Sequence, residues 1–196
     1  MRKLKLQMQI SLNGIGTIEP EARNFNWDGE VRNFCIENLI NVDTIMLGRN
    51  TAENFIPHWE KVSKQPDHDD YKFGKLLTDI PKVVFSKSIK SSKWANVSHA
   101  DGDIEDEIGK IKNTPGREII VYGGISFVSS LLKHKLSEEL CLLVNPAVFG
   151  EGETIYASVR ESLQFTLERS RPFRCGTVLL AYSLKNNVRN TNYGYE

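Results

Sequence analysis

Two apolar runs in this 196-residue chain end in glycine and hand over to segments of helical character. The first reads Ile45-Met46-Leu47-Gly48-Arg49-Asn50-Thr51, and the second Ile119-Ile120-Val121-Tyr122-Gly123-Gly124-Ile125-Ser126-Phe127. A strand that ends in glycine lets backbone come close to a ligand. The helix that follows offers unpaired N–H groups and the positive end of its dipole to an anion. In the first turn Arg49 adds a planar fork of donors and Thr51 a hydroxyl, a set suited to a phosphate. The alternative is a plain strand-to-helix turn in which Arg49 pairs with a surface carboxylate. In the second turn Gly123-Gly124 lacks the full G-x-G-x-x-G spacing of a Rossmann fingerprint, so a tight packing turn and a pyrophosphate contact both fit it. Between the two turns a strand ends in Ser86, Lys87 and Ser88. These donors suit a ribose 2′-phosphate and are equally at home in a solvated turn. Two such turns in one domain can hold the two ends of a dinucleotide.

Other reactive groups are sparse. Asp28 and Glu30 follow Trp27, where they serve either to bind substrate or relay a proton, or simply as the acids that a helix dipole favours in its first turn. His58, His68, Asp69 and Asp70 do not have a standard zinc-ligand spacing, and no H-x-E with P-C-x-x-C pattern is present for zinc-dependent deamination. No metal is expected. Phe55 and Trp59 either wall a pocket or fill core. Cys35, Cys141 and Cys175 are odd in number and far apart, which predicts reduced, mostly buried thiols. The balance of 25 Lys+Arg against 25 Asp+Glu gives no net pull toward nucleic acid or an anionic membrane. The N-terminus alternates apolar and polar residues instead of forming a signal-peptide core, and no run approaches the roughly 18 apolar residues of a membrane span. The expected compartment is the cytoplasm.

The elements that must position these residues follow from hydrophobic period. Leu4, Leu6, Met8 and Ile10 alternate as one face of a first strand that runs into an Asn13-Gly14 turn and a long loop to about Trp27. Asn26 is placed to cap a helix carrying Val31, Phe34, Cys35, Asn38 and Leu39 at helical spacing. Val42 to Leu47 reads as a strand and Arg49 to about Val62 as a helix, with Pro57 an expected break. A short helix from Tyr71 to Leu77, a strand at Lys82–Ser86 and a weak strand at Trp94–Ser98 follow. Ile104, Ile108 and Ile111 mark a helix stopped by Pro115-Gly116. The unbroken apolar core of Glu118–Tyr122 predicts a central parallel strand. After a helix with Phe127, Val128, Leu131 and Leu132 on its buried side comes a strand from Leu140. Two β-type runs, Gln164–Glu168 and Thr177–Tyr182, then flank Pro172–Gly176 as an antiparallel hairpin. The alternation predicts a three-layer α/β/α architecture with a mostly parallel sheet, in a single domain over residues 1–185 with a polar tail at 186–196. Ligands bind such sheets at the carboxyl ends of the strands, where both glycine turns lie.

Ser11-Leu12-Asn13-Gly14, Leu47-Gly48-Arg49-Asn50-Thr51, Val84-Phe85-Ser86, Gly123-Gly124 and Asn145-Pro146-Ala147-Val148-Phe149-Gly150-Glu151-Gly152 occur in the order typical of the dihydrofolate reductase-like superfamily. From Lys3 to Leu184 the chain more closely resembles the reductase domain of the riboflavin-biosynthesis bifunctional deaminase-reductase and its stand-alone relatives. The resemblance implies an NADPH-dependent reductase, with Gly48, Arg49, Thr51 and the Ser86–Ser88 segment toward the cofactor's phosphates and adenosine. Gly123, Gly124, Ile125, Ser126 and Phe127 would line its pyrophosphate and nicotinamide side, and the segment with Asn13 and Gly14 would lie over the nicotinamide. Hydride would pass to a polarised carbon of a small pyrimidine- or pteridine-like substrate, as in 5-amino-6-(5-phosphoribosylamino)uracil reduction. Trp27, Arg32 and Phe55 are the candidate substrate contacts, Asp28 and Glu30 the candidate catalytic acids, and a homodimer the implied assembly. One position departs from dihydrofolate reductase: where that enzyme has a substrate-binding carboxylate, five residues after its loop tryptophan, this chain has Arg32, which cannot accept a hydrogen bond from a protonated pterin. A reductase of another carbonyl, imine or nitro substrate, or a non-catalytic NADP-binding dimer, are the alternatives.

Overall fold

The computed structural model describes residues 1–16, 25–88 and 94–185. The alternation of Leu4, Leu6, Met8 and Ile10 produces β1 (Leu4–Ser11), and these four side chains enter one core while Lys5, Gln7 and Ser11 are buried toward the opposite side. The same division recurs in β2 (Val42–Gly48), where Ile45 and Leu47 face one core and Met46 the other. In β5 (Glu118–Val121) Ile120 is opposed to Ile119 and Val121. Apolar residues on both faces require a cover on both faces. Helices α1 (Gly29–Leu39), α2 (Arg49–Val62) and α3 (Tyr71–Asp79) supply the first, α4 (Ile104–Asn113) and α5 (Ile125–Lys133) the second. Burying a side chain such as Phe34 contributes about 1.5–3 kcal/mol, so this two-sided cover is the main source of stability.

The remaining strands are β3 (Lys82–Phe85), β4 (Val97–Ala100), β6 (Glu139–Asn145), β7 (Phe165–Pro172) and β8 (Val178–Leu184). They complete one eight-stranded sheet in the order β4-β3-β2-β5-β1-β6-β8-β7. Pairing is parallel from β4 to β6. It turns antiparallel at β6–β8 and β8–β7, as the C-terminal hairpin pattern predicts. β5 lies between β2 and β1, with Ile45 opposite Ile120 and Leu6 opposite Val121. The carboxyl ends of β2 and β5 are therefore neighbours, and their two glycine turns come out side by side.

Three local expectations are corrected. The cap of α1 is Asp28, whose carboxylate accepts from the Glu30 and Val31 N–H groups. Asn26 instead donates its side-chain amide to the Cys175 carbonyl at 2.6 Å and its backbone N–H to Asn145 at 2.7 Å. The weak strand lies two to three residues later than its composition suggests, because Val84 and Phe85 select His99 and Ala100 as their parallel partners, while Trp94 packs on the core ahead of it. Pro57 does not end α2, which continues to Val62. An interior proline costs about 3 kcal/mol, and the burial of Ile56 and Val62 on either side of it offsets that cost. Residues 17–24 of the long loop and the tail at 186–196 lie outside the described residues. Among the described residues no helix is long and apolar enough to cross a membrane.

Candidate functional site

The two glycine turns are bonded to each other: the Gly48 N–H donates to the Gly123 carbonyl at 2.9 Å. They floor a cleft of about 1050 Å³ that opens across the carboxyl ends of β2, β3 and β5. α2 and α5 both start at this floor, with Gly48 and Gly124 as their caps and no side chain bonded to either helix end. The first-turn N–H groups of both helices thus face the cleft without a capping acceptor, the arrangement that binds anions. Gly123 has φ +109, a conformation that favours glycine, and its peptide bond to Gly124 is cis. A Cβ on Gly124 would stand 2.7 Å from Thr51 Oγ1, and one on Gly48 would stand 3.1 Å from Phe127 Cβ and 3.2 Å from Gly124 N. A side chain at either position would meet these protein atoms, so glycine here is a requirement of the close packing of the two turns.

One rim of the cleft is basic and hydroxylic. Arg49 Nη1 donates to Ser88 Oγ at 2.7 Å, and its Nε lies 3.4 Å from Glu53 on the next turn of α2. The Ser88 N–H donates to Ser86 Oγ at 3.2 Å. Ser86 and Lys87 line the cleft beside Arg49. Phe85 stacks on Phe127 at 4.6 Å and 29°, holding this rim to the start of α5. The structure therefore brings Gly48, Arg49, Thr51, Ser86, Lys87 and the run Gly123–Phe127 to one cleft, with Ser88 attached through Arg49. Asn13 and Gly14 stand apart, where Asn13 ties the turn to the Phe149 backbone and Gly14, at φ +78, makes the bend. Among the described residues of the long loop, Gly16 and Phe25 line the cleft.

Behind the cleft, toward α1 and α3, lies a second, smaller cavity of about 220 Å³. Met8 and Tyr122 line both, so the two spaces meet at these side chains. Phe55 stacks on Tyr122 at 5.8 Å and 25°. Phe55, Trp59, Phe73 and Tyr122 form a closed circuit of ring contacts between 4.9 and 6.5 Å. Trp27 joins it against Phe73 at 5.5 Å. Polar groups enter from β1 as the amides of Gln7 and Gln9, and from α1 as the thiol of Cys35. Gln7 is fixed by bonds from Asn38 and to Cys35 Sγ, while Gln9 Oε1 accepts from Asn145 at 3.3 Å. Burial pushes the Cys35 thiol up to about 12, against the hydrogen bond from Gln7, and pushes the Tyr122 hydroxyl well above its ordinary range. Both groups are neutral at physiological pH. The Tyr122 hydroxyl is buried and has no hydrogen-bond partner among the described residues.

The sequence candidates near Trp27 take up other positions. Asp28 caps α1, and the Val31 N–H foremost among its donors holds its carboxyl below the usual range. Glu30 accepts from the Arg174 N–H at 2.8 Å and lies 3.4 Å from that guanidinium. Neither carboxylate lines the cleft or the smaller cavity. Arg32 is turned to the N-terminus of α3, where its Nε donates to Asp70 Oδ1 at 2.5 Å and Asp69 lies at 3.9 Å. Trp27 Nε1 donates to that same Asp70 oxygen at 2.9 Å. Burial pushes the Asp70 carboxyl up, but the bonds from Trp27 and Arg32 outweigh burial and hold it below its usual range. Gln7, Gln9 and Phe73 are not singled out by the sequence, which offers Tyr122 only as part of the second glycine turn and Asp70 only in a polar group without zinc-ligand spacing. The polar alternation of Gln7 and Gln9 on a strand covered on both sides was the available signal.

Comparison with known proteins agrees with this geometry. Residues 2–179 match the family described as the RibD C-terminal domain. The protein YyaP of Bacillus subtilis is 27% identical over 183 residues, covering 92% of this chain and 94% of that one. YwjB of the same organism is 24% identical over 176 residues, 88% and 92% of the two chains. Among solved structures, Acinetobacter baumannii RibD superposes with a TM-score of 0.68 at 11% identity, covering 95% of this chain and 59% of that one. The deaminase/5-amino-6-(5-phosphoribosylamino)uracil reductase of Thermotoga maritima gives 0.64 at 15% identity, with 94% and 57% covered. Dihydrofolate reductase from Enterococcus faecalis, complexed with NADP(H), gives 0.63 at 14%, with 94% and 97% covered. The α/β sheet with its C-terminal antiparallel pair is thus the dihydrofolate reductase-like fold, and the chain belongs to the RibD C-terminal domain family of reductase-type domains.

Proposed function

We propose that this protein is an NADPH-dependent reductase that passes a hydride to a small pyrimidine- or pteridine-like heterocycle. The reaction class is that named for its relative in fold, 5-amino-6-(5-phosphoribosylamino)uracil reductase. The observation that carries the reading is the junction at Met8 and Tyr122: a long anion-receptive cleft and a small aromatic cavity open onto the same two side chains. A dinucleotide fits the first space, a single flat ring system the second.

The glycine turns fit the cofactor because, lacking a Cβ, Gly48 and Gly124 let the two turns and the start of α5 pack side by side as the floor of the cleft. The first-turn N–H groups of α5, at Ile125, Ser126 and Phe127, would hold the cofactor's pyrophosphate. Arg49, with Ser86, Lys87 and Ser88, would hold the 2′-phosphate that distinguishes NADPH from NADH. When bound, the cofactor supplies the hydride. The protein's own work is positional. Phe55 and Tyr122 set the plane of the acceptor ring, Gln7 and Gln9 offer amide donors and acceptors to its edge, and the surrounding rings exclude water from its faces. No carboxylate lines the smaller cavity among the described residues, while Asp101, Asp103 and Glu153 line the cleft that meets it at Met8 and Tyr122. In this reading Asp28 and Glu30 serve the start of α1 and its tie to Arg174.

The test is a titration of the protein with NADPH, followed by nicotinamide absorbance in the presence of a panel of oxidised pyrimidines and pteridines. NADPH binding at micromolar level with turnover of at least one heterocycle supports the reading. Tight binding with no turnover across the panel would favour a non-catalytic NADP-binding protein.

A further inference from the structure

Helix α1 brings one cation to the aromatic cavity's side of the molecule, Arg32, and the fold spends it. Arg32 is 19% exposed and Asp70, its main partner, 16%, so this pair is largely withdrawn from solvent and screened little by salt. The same Asp70 oxygen takes the Trp27 indole N–H, which fixes the indole against Phe73 as one wall of the cavity. The Asp70 N–H in turn donates to His68 Nδ1 at 3.0 Å, fixing the turn that presents the carboxylate. What remains facing the cavity among the described residues is uncharged: five aromatic rings, two amides, a neutral thiol and two apolar side chains.

An anionic acceptor placed there would leave water without a cation among the described lining residues to meet it, and burial of an unpaired charge is strongly unfavourable. A planar neutral ring with amide-like edges would instead stack on Phe55 and Tyr122 and exchange hydrogen bonds with Gln9, whose side-chain N–H donates to no described residue. Resting on the reductase reading above, we infer that the acceptor is an uncharged planar heterocycle without a phosphate or carboxylate, and that Asp70 is the positioning residue which sets this preference by holding Trp27 and sequestering Arg32. Asp70 touches neither acceptor nor cofactor in this account. It acts through the indole it orients and the guanidinium it neutralises.

The experiment compares lumazine with 6-carboxylumazine, the same ring with one added carboxylate, by calorimetric titration with and without NADP+. The protein should bind lumazine about tenfold more tightly, the scale of one charge-assisted hydrogen bond forgone. Asp70→Asn frees Arg32, so the preference should fall by about tenfold or invert. A change that merely loosened the wall would weaken both ligands alike. The double variant Asp70→Asn/Arg32→Met should restore the preference for lumazine. If Asp70→Asn does not fold, Arg32→Met alone decides: it should leave the ratio unchanged, because Arg32 meets no ligand. Equal or tighter binding of 6-carboxylumazine to the unaltered protein overturns the inference, as does a ratio that Asp70→Asn leaves unmoved or that Arg32→Met shifts toward lumazine. Absence of NADP+ binding counts against the reductase reading alone, since the ratio is read with and without it.

Discussion

The proposed cofactor cleft and the proposed acceptor cavity share Met8 and Tyr122 but are built by different means. The floor of the cleft is made of backbone: two strand ends, two helix starts without a side-chain cap and three glycines whose lack of a Cβ lets the turns pack together. The cavity is made of side chains, contributed by β1, α1, α2, α3, β6, the residue that follows β5 and the segment before α1. A backbone site tolerates little change because every residue type but one is excluded. A side-chain site can be retuned one ring at a time while its frame stays put. On the proposed reading, one fold can therefore keep a cofactor and exchange acceptors.

Breaking the backbone half should have the largest effect. Gly124→Val puts a branched side chain against Thr51 Oγ1, which a Cβ alone would approach to 2.7 Å. NADPH affinity should fall by about a hundredfold or more in a fluorescence titration, the scale of several lost charge-assisted bonds. Acceptor binding to the cavity should change little. Phe55→Ala attacks the other half. It removes the ring that links Tyr122 to Trp59, so KM for the acceptor should rise about tenfold, with the NADPH Kd within about twofold of the original. A matching loss of NADPH affinity would show that the two halves are not separable.

Arg49→Ala sharpens the account of the cleft's rim. It should cost NADPH about tenfold in affinity, one charge-assisted contact, and leave NADH unchanged; equal loss for both cofactors would remove Arg49 from the 2′-phosphate. The smallest effect belongs to Asp28, outside both spaces. Asp28→Ala should lower Tm by loss of the α1 cap while kcat stays the same. Because the Val31 N–H holds the Asp28 carboxyl below its unfolded value, the cap's contribution is complete above the unfolded pKa of about 3.9 and is lost as pH falls through the folded value. The difference in Tm between the two proteins should therefore shrink below about pH 4. A fall in kcat at constant Tm would return Asp28 to catalysis.

The same contrast explains what could be read from the sequence. Gly48 and Gly123-Gly124 betray the cleft because a backbone requirement leaves a local trace, and the period-two and helical patterns place both turns at strand ends. The C-terminal hairpin was legible for the same reason. The cavity was legible only in part: Trp27, Phe55 and Trp59 stand out as candidate walls or substrate contacts and do line it, whereas Gln7 and Phe73 are separated from them in sequence and each alone reads as ordinary core. Asp70 sat in a polar stretch with His68 and Asp69, where composition cannot tell a solvated turn from a carboxylate that gathers Trp27 and Arg32. Capping went astray by two residues: Asn26 and Asp28 are both good caps, and only the tertiary bonds from Asn26 to Cys175 and Asn145 decide between them.

The most direct test of a cofactor cleft that meets an acceptor cavity is a crystal structure of the NADP+ complex. The account predicts the pyrophosphate on the N–H groups of Ile125–Phe127 above Gly123-Gly124, and the nicotinamide at Met8 and Tyr122 with its reactive carbon facing the Phe55 side. A dinucleotide bound elsewhere, or a nicotinamide turned away from that cavity, would contradict it.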